Sequence, residues 1–150
     1  MTHASDSNAQ RTAEGYALRI LETRLSASFV DGAQLPVALG VKPDGVDVDR
    51  KIVVEIFARV GALKSGQTHK VKADLFKLAY IRQQLGPDWK AYFCFVDAAA
   101  AASTQGKSWH AQAAKAFGVD VVVIELPAEV RTSVLAAQGA QRMVNAREDD

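Results

Sequence analysis

Cysteine, histidine and long apolar runs are scarce in this sequence of 150 residues. Cys94 is its one cysteine, which excludes an intramolecular disulfide and a cysteine-rich zinc site. No apolar run approaches the length of a membrane-spanning helix. Residues 1–10 are small and polar and lack the apolar core of a signal peptide. We therefore expect a cytoplasmic protein without a membrane association.

Motifs for common cofactors are also absent. The glycines have neither the spacing of a phosphate-binding P-loop nor that of a dinucleotide fingerprint, which disfavours a nucleotide-binding α/β domain. No pair of the three histidines has metal-binding spacing, so His69 and His110 are interpreted as surface residues. Aromatic residues are few, and Trp89 and Trp109 are interpreted as packing residues rather than as platforms for stacked bases.

Composition and charge indicate one ordinary globular domain. Hydrophobic residues make up 49% and charged residues 23% of the chain, and the formal net charge is only +1. Positive charge is concentrated in residues 42–90, which contain ten lysines and arginines against six acids. This excess suits a polyanionic substrate, and it is also compatible with an ordinary solvated surface.

Hydrophobic periodicity predicts an α/β protein, with helices on both faces of a central mixed sheet. We expect a mobile tail over residues 1–10, a single domain over 11–144 and a frayed end over 145–150. Within the domain the pattern predicts helices at 11–29, 67–85, 108–117 and from 127 onwards, strands at 35–41, 46–48, 52–58, 91–96 and 119–126, and an alanine-rich connection at 97–106.

Two carboxylates provide the main chemical signal. Asp44 lies in a Pro-Asp-Gly turn, and Glu55 interrupts the apolar strand Ile-Val-Val-Glu-Ile-Phe. A carboxylate within a buried strand needs a partner, and a bound metal ion is one such partner. Convergence of the two acids would create a site for Mg²⁺ or Mn²⁺, since both ions prefer oxygen ligands. Alternatively, Asp44 is only a turn residue, and Glu55 lies on an edge strand or pairs with Lys51 or Arg59.

This arrangement resembles the PD-(D/E)XK nuclease superfamily, which has the restriction-endonuclease-like fold. The resemblance rests on Pro43-Asp44, on Glu55 in the following strand, and on the order of helices and strands from residue 11 to about 96. It implies that Asp44 and Glu55 hold a catalytic Mg²⁺ or Mn²⁺. It also implies a nucleic acid substrate, DNA in preference to RNA, and a homodimer as a candidate assembly.

The sequence departs from the superfamily pattern at Phe57, where the resemblance would place a lysine two residues after Glu55. Some members of the superfamily supply this lysine from the next helix. Lys70 is our preferred replacement because it lies in the first turn of that helix. The substrate-binding candidates on the same helix and the loop before it are Lys64, Gln67, Lys72 and Lys77. If no lysine reaches the acids, the protein would be an inactive relative that binds nucleic acid or a protein.

Glu14 is a candidate third metal ligand. It lies on the same stripe of the first helix as Leu18 and Leu21. The resemblance allows it to join the metal site, as a glutamate from the first helix does in some of these nucleases. The alternative is a favourable charge near the start of a helix, worth about 0.3–1 kcal/mol.

Overall fold

The computed structural model describes residues 2–148, with side chains described from residue 8 to residue 141. Within these residues there are five α-helices, four β-strands and one short 3₁₀ helix, Gly32–Gln34. The helices are α1 (Thr2–Leu25), α2 (Ser65–Leu85), α3 (Ala98–Gln105), α4 (Trp109–Ala116) and α5 (Ala128–Glu148). The strands are β1 (Gly45–Asp47), β2 (Ile52–Phe57), β3 (Lys90–Phe95) and β4 (Val119–Val123).

The strands form one mixed sheet in the order β1-β2-β3-β4. Strands β1 and β2 are antiparallel neighbours, whereas β2, β3 and β4 run parallel to one another. Each parallel connection passes through helices, as it must when parallel neighbours are joined by a crossover. The central strand, β2, therefore has a hydrogen-bonded neighbour on each side, and Glu55 lies opposite Phe93 of β3.

Helices cover both faces of this sheet, which confirms the predicted α/β architecture. Val53 and Phe57 of β2 pack in one core with residues of α2, α3 and α4. Val54 and Ile56 pack in a second core with residues of α1 and α5. Because side chains alternate along a strand, Glu55 belongs to the same face as Val53 and Phe57, beneath α2.

The predicted strand at 35–41 is wrong. Besides β2, the residue that pairs with β1 is Val30, which forms an isolated antiparallel bridge with Val46 through two backbone hydrogen bonds of 2.9 and 3.0 Å. The chain then turns into the 3₁₀ helix, because the carboxylate of Asp31 accepts a hydrogen bond from the backbone N–H of Ala33 at 2.8 Å. This local side-chain hydrogen bond favours the 3₁₀ helix, so that strand pairing ends at Val30 and residues 35–41 form no strand.

Helix boundaries also differ from the predictions. Helix α1 begins at Thr2 rather than near residue 11 and ends at Leu25 rather than near 29. The alanine-rich connection forms α3, in keeping with the high helix propensity of alanine. Residues 1, 149 and 150 of the predicted tails lie outside the described residues, and the rest of those segments belongs to α1 and α5.

Helix α5 is tied to the loop after β2 by a buried amide. Gln138 donates to the carbonyl of Val60 and accepts from its N–H, both at 2.9 Å. Asp97 adds a second connection, since its carboxylate accepts hydrogen bonds from Arg131 and from the backbone of Gly61, each at 2.8 Å. None of the helices over residues 2–148 is apolar and long enough to cross a lipid bilayer.

The turn between β1 and β2 is organised by Asp47. Its carboxylate accepts backbone hydrogen bonds from Ser28 at 2.8 Å and from Arg50 at 2.9 Å. These hydrogen bonds favour the charged form and lower the pKa of Asp47. Glu22 of α1 serves the same segment, because its carboxylate accepts from the N–H of Phe29 at 3.0 Å. Both acids therefore hold the chain that leads from α1 into the sheet.

Candidate active site

The structure brings Asp44 and Glu55 together. Asp44 immediately precedes β1, and its Oδ2 accepts a hydrogen bond of 2.7 Å from the backbone N–H of Ile56 in β2. Its carboxyl group also lies close enough to that of Glu55 to raise the pKa of Glu55. Asp44 is therefore more than a turn residue, because its side chain reaches across the hairpin to the central strand.

The position of Asp44 depends on a close contact between two backbone segments. A Cβ atom on Gly32 would lie 1.8 Å from the carbonyl oxygen of Pro43. Only glycine allows the 3₁₀ helix to approach Pro43 so closely, and Pro43 directly precedes Asp44. Gly32 thus fixes the course of the chain at the acid.

Glu55 is deeply buried, with only 5% of its surface exposed. Burial, followed by the charge of Asp44, raises the pKa of Glu55 to about 9. Two carboxylates this close resist simultaneous ionisation, because their charges repel in an environment of low dielectric constant. At neutral pH the pair would therefore hold a proton or share a cation.

Lys77 of α2 provides the cation nearest to Glu55. Its Nζ lies 2.6 Å from Oε2 of Glu55, although Oε2 accepts no hydrogen bond of normal geometry from the described residues. The contact is therefore an ion pair. It lowers the pKa of Glu55 less than burial and Asp44 raise it.

Lys70, the lysine predicted to replace the one missing at Phe57, does not form this ion pair. Lys70 lies two turns earlier on α2, and its Nζ is 5.7 Å from the centre of the Phe57 ring. Phe57 packs against Phe93 and Phe95, so position 57 contributes to the hydrophobic core. The helix supplies a lysine to Glu55, but it does so from Lys77.

Two further acids lie near the pair. Burial, and then the charge of Asp44, raises the pKa of Glu14 on α1. Burial also raises the pKa of Asp74 on α2, against the opposing effects of Lys77 and Lys70. Asp74 was missed as a site residue, although its spacing from Lys70 and Lys77 already indicated a shared face of α2.

Lys70 also borders a cleft at the carboxyl end of β2. The cleft has a volume of about 110 Å³ and lies between α1, α2 and α5. Its polar side chains are Gln10, Arg59, Gln67, Lys70, Gln138 and Gln141. Asp44, Glu55 and Lys77 do not line this cleft, although Phe57 at its edge follows Glu55 by two residues on β2.

The other predicted substrate-binding residues are divided. Gln67 accepts a hydrogen bond of 2.8 Å from the backbone of Lys64, so it caps α2, and Lys64 is exposed at that helix start. Lys72 is not at the site, because its Nζ lies 5.3 Å from the ring centre of Trp109 on α4. The structure therefore brings Lys77 to the acids, leaves Lys64 and Gln67 at the helix start, and separates Lys72 from them.

The residues fit a divalent cation only in part. No group of three or more histidine, cysteine, aspartate or glutamate side chains has metal-binding geometry within residues 8–141. The favourable feature is the proximity of two carboxyl groups, one of them buried, although Oε2 of Glu55 already has the ammonium group of Lys77 at 2.6 Å. A cation between the carboxylates would relieve their repulsion, and Mg²⁺ commonly completes its coordination with water after binding one or two carboxylates.

Comparison of the chain with protein-family models, with curated proteins and with solved structures found no match to any of the three. The geometry of Asp44, Glu55 and Lys77 is therefore the basis of the functional interpretation.

Proposed function

We propose that the protein is a metal-dependent hydrolase of phosphodiester bonds in nucleic acid, with DNA as the preferred substrate. The contact of Asp44 with Glu55, beside the ammonium group of Lys77, carries this proposal. An acid from a turn, an acid from the adjoining strand and a lysine form the constellation that the superfamily resemblance implies.

The order of structural elements supports the same interpretation. Helix α1 is followed by the Val30 bridge, β1 and β2, which are antiparallel neighbours, and then by α2 and the parallel strand β3. A helix, three antiparallel segments, a helix and a strand are the core of the restriction-endonuclease-like fold. In this chain the first of the three segments is reduced to a single bridging residue.

In the proposed mechanism Asp44 and Glu55 would hold Mg²⁺ or Mn²⁺ with their carboxylate oxygens. Such an ion, when bound, would supply the Lewis-acid chemistry that divalent ions provide in phosphoryl transfer. Lys77 holds the ionised form of Glu55 and places its positive charge where negative charge develops on the phosphoryl oxygens. Arg59 and Lys70, which line the cleft, contact the backbone of the substrate.

Contacts to the phosphate backbone carry no direct information about sequence. We therefore expect cleavage with little sequence preference. Glu14 and Asp74 act on the electrostatics of the site, because each is coupled to Asp44 or to Lys70. The prediction of Glu14 as a third metal ligand is not met, because no group of three such side chains has metal-binding geometry within residues 8–141.

A second candidate function is a non-catalytic module that binds nucleic acid. It is favoured by Phe57, since the ring occupies the strand position from which the superfamily lysine would act. In this alternative the pair of Glu55 and Lys77 is a structural ion pair. Removal of one member of a buried pair then lowers stability without any effect on a reaction.

The experiment that tests the proposal measures cation binding and cleavage separately. Binding of Mn²⁺ is followed by calorimetry on the wild-type protein and on Asp44→Asn and Glu55→Gln. Cleavage of labelled single-stranded and duplex DNA and RNA is then measured with Mg²⁺, with Mn²⁺ and with EDTA. The matched controls are Asp49→Asn and Lys90→Met, since both residues are exposed and lie away from the pair.

The proposal requires Mn²⁺ binding that both site variants lose, together with cleavage that EDTA abolishes. Cleavage that persists in Glu55→Gln or in EDTA would exclude it. Nucleic acid binding without cleavage, at any concentration of either cation, would support the non-catalytic module instead.

A further inference from the structure

A second concave surface lies on the other flank of α2, away from the carboxylates. It is a groove between α2 and α4 with a volume of about 520 Å³, which is within the size range of small-molecule sites. We term it the aromatic groove. It is lined by Lys72, Leu75, Phe76, Ala79, Tyr80, Gln83, Trp109, His110, Ala113 and Phe117.

Large aromatic side chains at this groove are unusually exposed. Phe76 is 80% exposed, Trp109 is 66% exposed and Phe117 is 56% exposed. The interpretation of Trp109 as a packing residue is therefore wrong, whereas Trp89 is buried in the core as expected. Clustered exposed apolar groups of this kind mark binding surfaces in soluble proteins.

The charge around the groove is positive. Lys72 lies with its Nζ 5.3 Å from the ring centre of Trp109. Lys72 is the charged residue of the groove lining, which contains no aspartate or glutamate. Aromatic faces next to lysines are the combination with which proteins bind single-stranded nucleic acid, because bases stack on the rings and phosphates meet the cations.

His110 provides an independent indication of a ligand. It was interpreted as a surface residue, but only 5% of it is exposed. Its Nε2 lies 3.4 Å from Oγ of Ser108, whereas its buried Nδ1 has no hydrogen-bond partner among the described residues. Such an unpartnered polar atom is costly, and the residue that carries it lines the groove.

We propose that the aromatic groove binds an unpaired base of a single-stranded nucleic acid, with the base against Trp109 and its phosphate near Lys72. The proposal rests on the proposed function and extends it to a substrate class, strands with unpaired bases. The flat faces of a base can stack on the rings of Trp109 and Phe76, and the polar edge of the base would lie beside His110. The phosphate supplies the negative charge that the groove does not contain.

A second copy of this chain fits the groove less well. A symmetric contact through this surface would bring the Lys72 side chains of two molecules towards one another. Like charges brought together at an interface oppose association. A polyanion instead gains from Lys72, and it loses this gain as the salt concentration rises.

The test measures binding in EDTA, where the proposed cleavage does not occur. The probe is a fluorescein-labelled oligothymidylate, compared by anisotropy with a duplex of equal length and with thymidine monophosphate. We expect tighter binding of the single strand than of the duplex, and quenching of the exposed Trp109 on binding. Thymidine monophosphate should compete weakly, because it presents only one phosphate.

Variants locate the binding to the groove. Trp109→Ala should weaken binding of the single strand about tenfold or more, and Phe76→Ala should also weaken it, as expected for loss of stacking. Lys72→Gln should lower both the affinity and the steepness of its salt dependence, the latter by about one phosphate contact. Tyr16→Ala is the matched control, because Tyr16 is an exposed aromatic residue of α1 outside the groove.

Equal affinity of wild type and Trp109→Ala for the single strand would overturn the proposal. A second contrary result would be a wild-type protein that sediments as a dimer and binds no single strand, while Trp109→Ala sediments as a monomer. The groove would then be an interface between copies of this chain. The outcomes separate the two proposals. Single-strand binding that depends on Trp109, without cleavage, supports the aromatic groove and rejects the hydrolase. Cleavage that Trp109→Ala leaves unchanged supports the hydrolase and rejects the aromatic groove as a substrate site.

Discussion

Lys77 of α2 and Glu55 of β2 meet at 2.6 Å between Nζ and Oε2, and this ion pair joins the second helix to the central strand. The superfamily pattern places its lysine on the same strand as the glutamate. In this chain the lysine comes instead from α2, which packs on one face of the sheet. The side chain of Lys77 is 24% exposed, so it reaches both the buried acid and solvent.

The role of Lys77 is tested by its removal. Lys77→Met keeps the aliphatic length and removes the charge, and we expect the rate of phosphodiester cleavage to fall about 10²–10³-fold, as for loss of one electrostatic contact to a transition state. Lys90→Met, a change of the same kind at an exposed site, should leave the rate unaltered. A rate that survives in Lys77→Met while Lys70→Met loses it would restore the original assignment to Lys70.

Glu55 should make stability depend on pH in the metal-free protein. Its pKa of about 9 exceeds the usual value of 4.5, so the folded state binds more protons than the unfolded state between these values. The free energy of unfolding therefore falls as the pH rises from about 4.5 towards 9. Glu55→Gln should raise the Tm at pH 8 by about 2–4 °C for each kcal/mol gained.

The same substitution should have little effect on the Tm at pH 5, where Glu55 is already protonated in the folded protein. Circular dichroism in EDTA at both pH values measures the difference. A change in Tm of equal size at pH 5 and pH 8 would mean that titration of Glu55 is not its cause.

Asp47 should give the opposite pH dependence. Backbone hydrogen bonds from Ser28 and Arg50 lower its pKa, so its contribution is present above the unfolded pKa and is lost as the pH falls through the folded pKa. Asp47→Asn should cost about 1.5–3 kcal/mol at pH 7. Urea denaturation at pH 7 and near pH 3 should show a smaller cost at the lower pH, and the exposed neighbour variant Asp49→Asn should show little change at either.

Gly32 should be intolerant of a side chain. Gly32→Ala would place a Cβ atom 1.8 Å from the carbonyl oxygen of Pro43, so the backbone must move, at a cost of about 1–3 kcal/mol. Because Pro43 leads into Asp44, this variant should also weaken Mn²⁺ binding. Gly15→Ala is the control, since a Cβ atom there meets nothing within 4 Å. Because Gly15 lies within α1, Gly15→Ala should raise the free energy of unfolding by about 0.5–1 kcal/mol.

Gln138 should contribute more to stability than its neighbours on α5. Gln138→Ala leaves the buried N–H and carbonyl of Val60 without partners, and each such group costs about 1–3 kcal/mol. Gln141→Ala removes an exposed amide one turn later and should change the free energy of unfolding by less than about 0.5 kcal/mol. Equal losses in the two variants would refute the importance of the buried amide.

The central strands and the long helices were predictable because their signals are local. The apolar run around Glu55 and the stripe of α2 each specify one element without reference to the remainder of the chain. The pairing of Asp44 with Glu55 was also predictable, as a turn acid next to a strand acid. Residues 35–41 were not, because only Leu35 and Leu39 pack against the core, from a loop, while Val37 and Val41 stay exposed.

The choice between Lys70 and Lys77 could not be made from sequence. Both residues lie on one face of α2, and the height of that helix above the sheet decides which of them reaches Glu55. That height depends on long-range packing of Val71, Leu75 and Leu78 against the sheet, which periodicity does not encode. The exposure of Trp109 depends in the same way on where α4 lies beside α2.

Helix α2 is one continuous helix that contributes residues to two different surfaces. One flank presents Lys77 to the buried glutamate, and the other presents Phe76 to the aromatic groove. Both surfaces therefore depend on the placement of one helix, through the neighbouring residues Phe76 and Lys77. A substitution that displaces this helix should alter both of them, whereas a substitution of either side chain alone should alter only one.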